Sequence, residues 1–172
     1  MLNWFKPTWL VDSIYQVSPT QLKQQGIKAV FSDLDNTLLA WNYAQKTLKL
    51  RRLVNQFQSH RVQLIVISNN TTGRVSKALS GLHINYISWS LKPLPWGILR
   101  ALKRYHLKRT QVVMVGDQLL TDVWAANNAH VRSMWVKPLV KTDKWDTRIN
   151  RFFERRIKIR LERKYDLPYW RE

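Results

Sequence analysis

Short apolar runs rich in β-branched residues alternate along this chain with longer segments in which apolar residues recur every three or four positions. Several of the runs are apolar at nearly every position, which is typical of parallel strands buried on both faces of a sheet. The pattern therefore predicts five strands, at residues 28–31, 62–67, 84–89, 112–115 and 131–136.

The segments between these runs have the spacing of helices. Ser18 and Pro19 suit the N-cap and the first helical position, and Gly26 suits the end of that helix. The other predicted helices lie at residues 45–59, 73–79, 95–105 and 119–127. The alternation of strand and helix predicts an α/β fold with a doubly wound, mainly parallel five-stranded Rossmann-like sheet and helices on both faces.

The two ends of the chain differ in composition from its middle. Residues 1–17 are rich in aromatic side chains, and residues 148–164 carry eight Lys or Arg against two Glu. We predict a domain at 1–147 and a basic amphipathic helix or tail at 148–172. An apolar residue recurs there every fourth position, at Ile149, Phe153, Ile157, Leu161 and Tyr165. This stripe suits either an anionic membrane surface or packing against the domain.

Composition narrows the classes of protein. The chain has 172 residues, a formal charge of +18 and no Cys, so disulfide frameworks and thiolate metal sites are excluded. No apolar stretch approaches the roughly 20 residues of a membrane span. The first residues lack the pattern of a signal peptide, which favours a cytoplasmic protein. The positive charge favours an anionic partner: nucleic acid, a phosphorylated substrate or an acidic membrane surface.

Acidic residues cluster at two predicted strand ends. Asp33 and Asp35 follow the first run, Asp117 and Asp122 follow the fourth, and no Asp or Glu occurs from residue 36 to residue 116. Residues two apart at the end of a strand point the same way, so Asp33 and Asp35 can face one pocket. Clustered carboxylates repel one another unless a cation or proton offsets them. The pattern indicates a metal-assisted active site.

These residue types suit phosphoryl chemistry with Mg²⁺. One carboxylate can attack phosphorus while the other handles protons, and Asp33 and Asp117 can meet the ion from two strands. The hydroxyl of Ser68 and backbone N–H groups near Asn69 and Asn70 can donate to phosphoryl oxygens. Lys92 adds a positive charge.

Two other interpretations of the acidic residues are weaker. A calcium loop beginning at Asp33 needs Gly at its sixth position and Glu at its twelfth, where this chain has Leu38 and Ala44. Asp is also common in turns after strands. Four such elements in one order argue against chance.

Four segments resemble, in order, the four motifs of the haloacid dehalogenase (HAD) superfamily: Asp33-Leu34-Asp35-Asn36-Thr37, Ser68-Asn69-Asn70, Lys92-Pro93 and Gly116-Asp117-Gln118-Leu119-Leu120-Thr121-Asp122. The last resembles the form found in subclass IIIA phosphatases. Within that subclass the chain is similar, over about residues 1–165, to the YqeG family, which is itself similar to the phosphatidylglycerophosphate phosphatases of mitochondria and plastids. Relatives often carry an extra basic residue before Lys-Pro, where this chain has Ser90-Leu91.

The resemblance implies a role for each motif residue. Asp33 is then the nucleophile that forms an aspartyl-phosphate, Asp35 the general acid and base, and Thr37 a residue that orients them. Ser68, Asn69 and Lys92 bind the phosphoryl group. The resemblance places Mg²⁺ on Asp33, the main-chain carbonyl of Asp35 and Asp117, with Asp122 behind them and paired with Lys92.

Many relatives in this superfamily insert a cap domain over the site, and this chain has no room for one. A loop and one helix fill the segment between Asp35 and Ser68, and one helix and one strand fill the segment between Ser68 and Lys92. We expect an open site with only residues 39–43 as a flap, and Trp41 near the substrate. An open site suits a large substrate.

Three hypotheses about function follow. In the first, the protein is a phosphatase of a membrane lipid, converting phosphatidylglycerophosphate to phosphatidylglycerol while attached to the inner face of the cell membrane. In the second, it is a soluble phosphatase of a small phosphorylated metabolite. In the third and weakest, it is a nucleic-acid or ribosome-binding protein that retains the HAD fold, since binding alone does not require the full set of acids and Lys92.

Overall fold

The protein is built on a single parallel sheet. A computed structural model describes residues 2–40, 48–140 and 145–170, with side chains from residue 154 onward in the last range. The six strands in these residues have the spatial order β1-β6-β5-β2-β3-β4. They are β1 (Trp9–Val11), β2 (Ala29–Ser32), β3 (Gln63–Ile67), β4 (Asn85–Ile87), β5 (Val112–Gly116) and β6 (Arg132–Val136).

Helices cover both faces of this sheet. They are α1 (Pro19–Gln24), α2 (Leu48–Ser59), α3 (Thr72–Leu79), α4 (Trp96–Arg104), α5 (Trp124–Asn128) and α6 (Trp145–Lys164). Side chains of α1, α2 and α3 share one core with Val30 and Val113, whereas α4 and α5 share a second core with Phe31. Neighbouring residues of a strand thus enter opposite cores, as the pleat requires. The predicted doubly wound α/β fold is confirmed.

The helix predictions are confirmed in position, with differences at the ends. Residues 45–47 of the predicted second helix lie outside the described residues. Ser18 occupies the N-cap of α1, but its side chain makes no capping hydrogen bond. The predicted helix at 119–127 consists of a π-helical turn, Leu119–Val123, followed by α5.

The sheet has one strand more than predicted. The edge strand β1 pairs in parallel with β6, with Leu10 opposite Trp135. On its other side, the Leu10 N–H donates to the Pro168 carbonyl at 2.9 Å, and the Trp170 N–H donates to the Leu10 carbonyl at 2.8 Å. A three-residue strand is too short to show a period, so the residues that pair with it from both sides define it.

The described part of α6 packs on the domain. Leu161 is fully buried against Leu119 and Val123, and Ile157 and Tyr165 are partly buried beside it. The Leu120 N–H donates to Glu154 Oε1 at 3.1 Å. These contacts favour the packing interpretation for residues 154–165. None of the helices in the described residues combines the length and the apolar content that crossing a bilayer demands.

Replacing Leu161 by Ala is expected to lower the free energy of unfolding by about 2–5 kcal/mol, because a fully buried Leu side chain leaves a cavity. Chemical denaturation measures this change. Ile159→Ala is the matched control, since Ile159 is 43% exposed on the same helix, and it should cost about 1 kcal/mol or less. Equal losses in the two variants would mean that α6 does not dock as described.

Candidate active site

Three carboxylates converge at the carboxyl ends of two neighbouring strands. Asp33 follows β2 and Asp117 follows β5, and the Asp33 N–H donates to the Val115 carbonyl at 2.9 Å. Asp122 joins them from the π-helical turn. Taking one carboxylate oxygen from each residue, all three lie within 4.8 Å of one another. Asp117 and Asp122 are buried, and Asp33 is 9% exposed. We call these three residues the acidic cluster.

Lys92 is inserted into the acidic cluster. Its Nζ lies 2.6 Å from Asp33 Oδ1 and 2.7 Å from Asp122 Oδ1, and it donates to the Ile67 carbonyl at 2.8 Å. The side chain is only 3% exposed. An ammonium group has three N–H donors, so all three of them are engaged by protein oxygens.

Burial controls the electrostatics of this cluster. Desolvation raises the pKa of Asp33 to about 7, the charges of Asp122 and Asp117 add to the rise, and Lys92 opposes it. For Lys92, burial alone would lower the pKa, but the carboxylates of Asp122 and Asp33 outweigh it, so that its pKa lies above the ordinary value. The ammonium therefore stays charged at neutral pH, whereas Asp33 titrates near pH 7.

The acidic cluster fits a divalent cation. One ammonium group offsets one of three clustered carboxylates, which leaves excess negative charge in a region of low dielectric constant. Carboxylate oxygens are the hard ligands that Mg²⁺ prefers. The donor set therefore agrees with the magnesium ion expected from the sequence.

Contacts around Asp117 and Asp122 fix the cluster from behind. The Thr37 hydroxyl donates to Asp117 Oδ1 at 3.1 Å, and Trp135 Nε1 donates to the Asp117 carbonyl at 3.0 Å. The Gln118 N–H donates to Asp122 Oδ2 at 3.1 Å. A Cβ at Gly116 would lie 2.2 Å from the Asp122 carboxylate, so only glycine allows this approach.

The segment that follows Asp33 is anchored at two points. The Tyr15 hydroxyl donates to the Leu38 carbonyl at 2.6 Å, and the Leu139 N–H donates to the Asn36 carbonyl at 2.9 Å. Both contacts come from segments distant in sequence, so the position of Thr37 depends on the assembled fold. Trp41 and residues 41–43 of the expected flap lie outside the described residues.

Ser68 and Asn69 follow β3, and the Asn69 side chain contacts the Lys92 backbone. The buried Ser68 Oγ accepts from the Asn70 N–H at 3.2 Å and from Asn70 Nδ2 at 3.0 Å. The Asn69 Oδ1 accepts from the Lys92 N–H at 2.8 Å, and its Nδ2 donates to the Lys92 carbonyl at 2.9 Å. The Asn69 amide thus fixes the backbone that carries Lys92.

Asp35 contacts two side chains that do not belong to the acidic cluster. Its Oδ2 accepts from Asn70 Nδ2 at 2.8 Å, and its Oδ1 forms an ion pair with Arg74 Nη2 at 2.7 Å. Sequence reasoning missed Arg74 and the side chain of Asn70. The only signal for Arg74 is a basic residue in the first turn of the helix that follows Ser68.

The site is open in the described part of the chain. The described residues between Asp35 and Ser68 form α2 and β3, and those between Ser68 and Lys92 form α3 and β4, with no further domain among them. A cavity of about 260 Å³ adjoins Asp117 and is lined by Trp135, Lys137 and Lys158 together with Asp12 and Glu162. Because both signs of charge line it, this cavity does not by itself select an anion.

Comparisons with known proteins agree with this geometry. The HAD-hydrolase-like family model matches residues 91–151. The chain is 34% identical over 170 residues to "probable phosphatase YqeG" of Bacillus subtilis (strain 168), covering 99% of this chain and 98% of that protein.

Solved structures share the fold at low sequence identity. An uncharacterized protein from Listeria monocytogenes serotype 4b matches with a TM-score of 0.53 and 15% identity, over 69% of this chain and 84% of that one. The cobalt-bound deoxy-D-mannose-octulosonate 8-phosphate phosphatase of Haemophilus influenzae matches with a TM-score of 0.51 and 16% identity, over 66% of this chain and 70% of that one.

Proposed function

Because the chain belongs to the HAD-like phosphatases, in the family of the Bacillus subtilis protein, we propose that it is a Mg²⁺-dependent phosphomonoesterase of the subclass IIIA type that works through an aspartyl-phosphate. One observation carries the proposal. Two neighbouring strands bring Asp33 and Asp117 together, with Asp122 and the buried ammonium of Lys92 beside them. Such a grouping of buried charges is costly without a chemical purpose.

The proposed ligands of the ion are Asp33, Asp117 and the main-chain carbonyl of Asp35, with Asp122 next to them. When bound, Mg²⁺ offsets the charge of the carboxylates and polarises the phosphoryl oxygens. The residues of the chain carry out the remaining chemistry.

Asp33 is the proposed nucleophile. An oxygen of its carboxylate bonds to phosphorus while the bond to the leaving alcohol breaks. Asp35, which takes up a proton from water when it leaves Arg74, gives that proton to the alcohol oxygen. Water then attacks the phosphorus of the aspartyl-phosphate and gives a proton to Asp35. The acyl-phosphate bond breaks, inorganic phosphate leaves, and the Asp33 carboxylate is restored.

Lys92 must change one contact during this reaction, because all three of its donors are engaged. When Asp33 becomes an acyl phosphate, its carboxyl group is no longer charged, whereas the phosphoryl group bonded to it remains negative. The N–H bond that pointed at Asp33 then turns to a phosphoryl oxygen, while Asp122 and the Ile67 carbonyl keep the ammonium in place. The hydroxyl of Ser68 accepts from Asn70 and keeps its own proton for a second phosphoryl oxygen.

Asp35 must leave Arg74 to reach the leaving group. The Arg74 side chain is 41% exposed and that of Asp35 is 24% exposed. An ion pair at such a surface is worth about 1 kcal/mol or less, so its exchange adds little to the barrier. Arg74 thus positions Asp35 near the site, and the weak ion pair still allows Asp35 to move.

For the substrate, we propose a phosphorylated membrane lipid, with phosphatidylglycerophosphate hydrolysed to phosphatidylglycerol at the inner face of the membrane. Two features support this. No further domain covers the site in the described residues, so specificity must come from surrounding surfaces. All charged residues between Asp35 and Asp117 are Lys or Arg, which an anionic bilayer attracts.

Mg²⁺ is expected to raise the melting temperature of the wild-type protein by several degrees, because saturation at about 100 times Kd stabilises the folded state by about 2.7 kcal/mol. The ion competes with the proton on Asp33, so its apparent affinity should weaken as pH falls below about 7. Thermal unfolding measures both effects.

Phosphate release should stop with a chelator and return with Mg²⁺.

Asp117→Asn should lose the Mg²⁺-dependent shift in melting temperature, because it removes a charged ligand. Asp166→Asn should keep the shift, because Asp166 is exposed on the C-terminal segment. An equal shift in both variants would remove Asp117 from the metal site.

The substrate is tested by phosphate release from phosphatidylglycerophosphate in vesicles, compared with a panel of water-soluble phosphomonoesters. We expect kcat/KM for the lipid to exceed that of every soluble compound by at least about tenfold, or about 1.4 kcal/mol. A soluble phosphomonoester hydrolysed more efficiently than the lipid would replace the lipid as substrate and leave the chemistry of Asp33 intact.

A further inference from the structure

Four large apolar side chains are exposed around Lys92. Trp89, Leu91, Leu94 and Trp96 are 56%, 55%, 48% and 59% exposed, and we call these four residues the apolar rim. They make up half of the exposed large apolar residues in the described chain, within eight consecutive positions. Scattered exposed apolar residues need no explanation, but a concentration of this kind marks a contact surface.

The loop that carries the rim is held in place by its backbone. The Trp89 N–H donates to the Asn70 carbonyl at 3.0 Å, and the Gly97 N–H donates to the Ser90 carbonyl at 3.1 Å. A Cβ at Gly97 would lie 2.4 Å from that of Ser90, so the two chain segments are in direct contact. The backbone that carries the apolar rim is therefore preorganised.

Two rim residues have an unfavourable backbone conformation. Trp89 and Leu91 have φ of 49° and 58°, in the left-handed region that large side chains rarely adopt. Such a conformation persists only where surrounding contacts enforce it, and it is concentrated at functional sites. Both residues that adopt this conformation, Trp89 and Leu91, have side chains exposed to solvent.

The rim borders the candidate active site. Lys92 lies between Leu91 and Pro93 in the chain, yet its side chain is 3% exposed and its Nζ is 2.6 Å from Asp33. The backbone therefore turns Lys92 inward and its neighbours outward. Whatever the rim contacts is brought next to the proposed nucleophile.

The positive charges near the rim favour an anionic partner. No acidic residue occurs from residue 36 to residue 116. Arg100 contacts the backbone at the start of the rim, where its Nη2 donates to the Ser88 carbonyl at 2.7 Å. Exposed Trp and Leu together with Arg is a composition found on surfaces that sit in the interface of an anionic membrane.

We propose that the apolar rim inserts into the interface of an anionic bilayer and presents phosphorylated lipid headgroups to Asp33. This inference rests on the proposed function, since it supplies the surface through which that site reaches a lipid. It assigns membrane attachment to the loop around Lys92, and the packing of Ile157, Leu161 and Tyr165 on the domain is then a structural contact.

The test uses the full chain and vesicles of phosphatidylcholine with about one third phosphatidylglycerol, a content that gives a negative surface. The rim variant combines Trp89→Asn, Leu91→Asn, Leu94→Gln and Trp96→Gln, with Asn chosen where φ is positive. We expect vesicle affinity to fall at least tenfold, while Mg²⁺-dependent hydrolysis of p-nitrophenyl phosphate stays within about threefold. Ile159→Gln, an exposed apolar position on α6, is the matched control and should keep both properties.

A second measurement is independent of the stability of that variant. Lipids brominated on the acyl chains should quench part of the tryptophan fluorescence of the wild-type protein. A milder variant, Leu94→Gln with Trp96→Gln, should lose part of that quenching. Three results would each overturn the inference. The wild-type protein does not bind anionic vesicles, or the rim variant binds them as well as wild type does, or the rim mediates a dimer and no vesicle binding occurs.

The two proposals fail in different ways. The wild-type protein could fail to bind vesicles and still hydrolyse p-nitrophenyl phosphate with Mg²⁺. That result would overturn the proposed membrane contact of the rim alone. Absence of that hydrolysis in well-folded wild-type protein would overturn the proposed phosphatase chemistry, whatever the binding result.

Discussion

Asp33→Asn is expected to abolish turnover, with a loss of at least about a thousandfold in kcat, because removal of a covalent nucleophile leaves only binding and electrostatic stabilisation. The amide has nearly the same size as the carboxylate, and Lys92 keeps its ion pair with Asp122. We therefore expect the fold to be retained. Steady-state kinetics with a soluble phosphomonoester, together with thermal unfolding, measures the two effects separately.

Asp166→Asn provides the matched control for this prediction. It makes the same chemical change at an exposed acid, so kcat should stay within about twofold of wild type. Trapping the acyl-phosphate with a nucleophile such as hydroxylamine adds a direct readout, which should label Asp33 in wild type and in Asp166→Asn and give no label in Asp33→Asn. An Asp33→Asn enzyme with a tenth or more of wild-type activity would exclude this residue as the nucleophile.

Lys92→Met is expected to lower the free energy of unfolding by about 3–5 kcal/mol, because it leaves two buried carboxylates without their cation. Methionine keeps most of the aliphatic volume, so the loss reports mainly on charge. Turnover should also fall steeply, since the phosphoryl group of the substrate loses the charged hydrogen-bond donor that we propose for it. Chemical denaturation in the presence of a chelator measures the stability change.

Mg²⁺ should restore part of the stability of Lys92→Met, because the ion replaces some of the missing positive charge next to Asp33. Lys23→Met, at an exposed position on α1, should change stability by about 0.5 kcal/mol or less. If Lys92→Met unfolds at the same denaturant concentration as the control, the ion pairs around Lys92 contribute nothing to stability.

The sequence predicts the architecture because its central strands are buried on both faces. Phe31 and Met114 occur within unbroken apolar runs, and such runs distinguish parallel strands from half-exposed ones. Residues 9–11 lack this signal, since an edge strand of three residues depends on partners distant in sequence. The apolar stripe of α6 is equally ambiguous, because a periodic pattern indicates that a face is covered without identifying what covers it.

The convergence of Asp33 and Asp117 could also be predicted, but the contacts within the site could not. Asp33 and Asp117 follow predictable strands, so their convergence follows from the fold. The ion pair of Asp35 with Arg74 and the complete use of the Lys92 donors depend on side-chain orientations across segments far apart in sequence. The departure at Ser90-Leu91 was visible in the sequence, but the exposure of Leu91 required the loop geometry.

The docking of α6 determines when the site can be completed during synthesis. A ribosome makes Asp33, Lys92 and Asp117 well before it makes Leu161, and domains begin to fold while they emerge. Until Leu161 covers Leu119 and Val123, the turn that carries Asp122 lacks its apolar support. In a nascent chain that stops short of Leu161, we therefore expect Asp33 and Asp117 to lie in an incomplete pocket, and the proposed activity to begin only after the last helix leaves the exit tunnel.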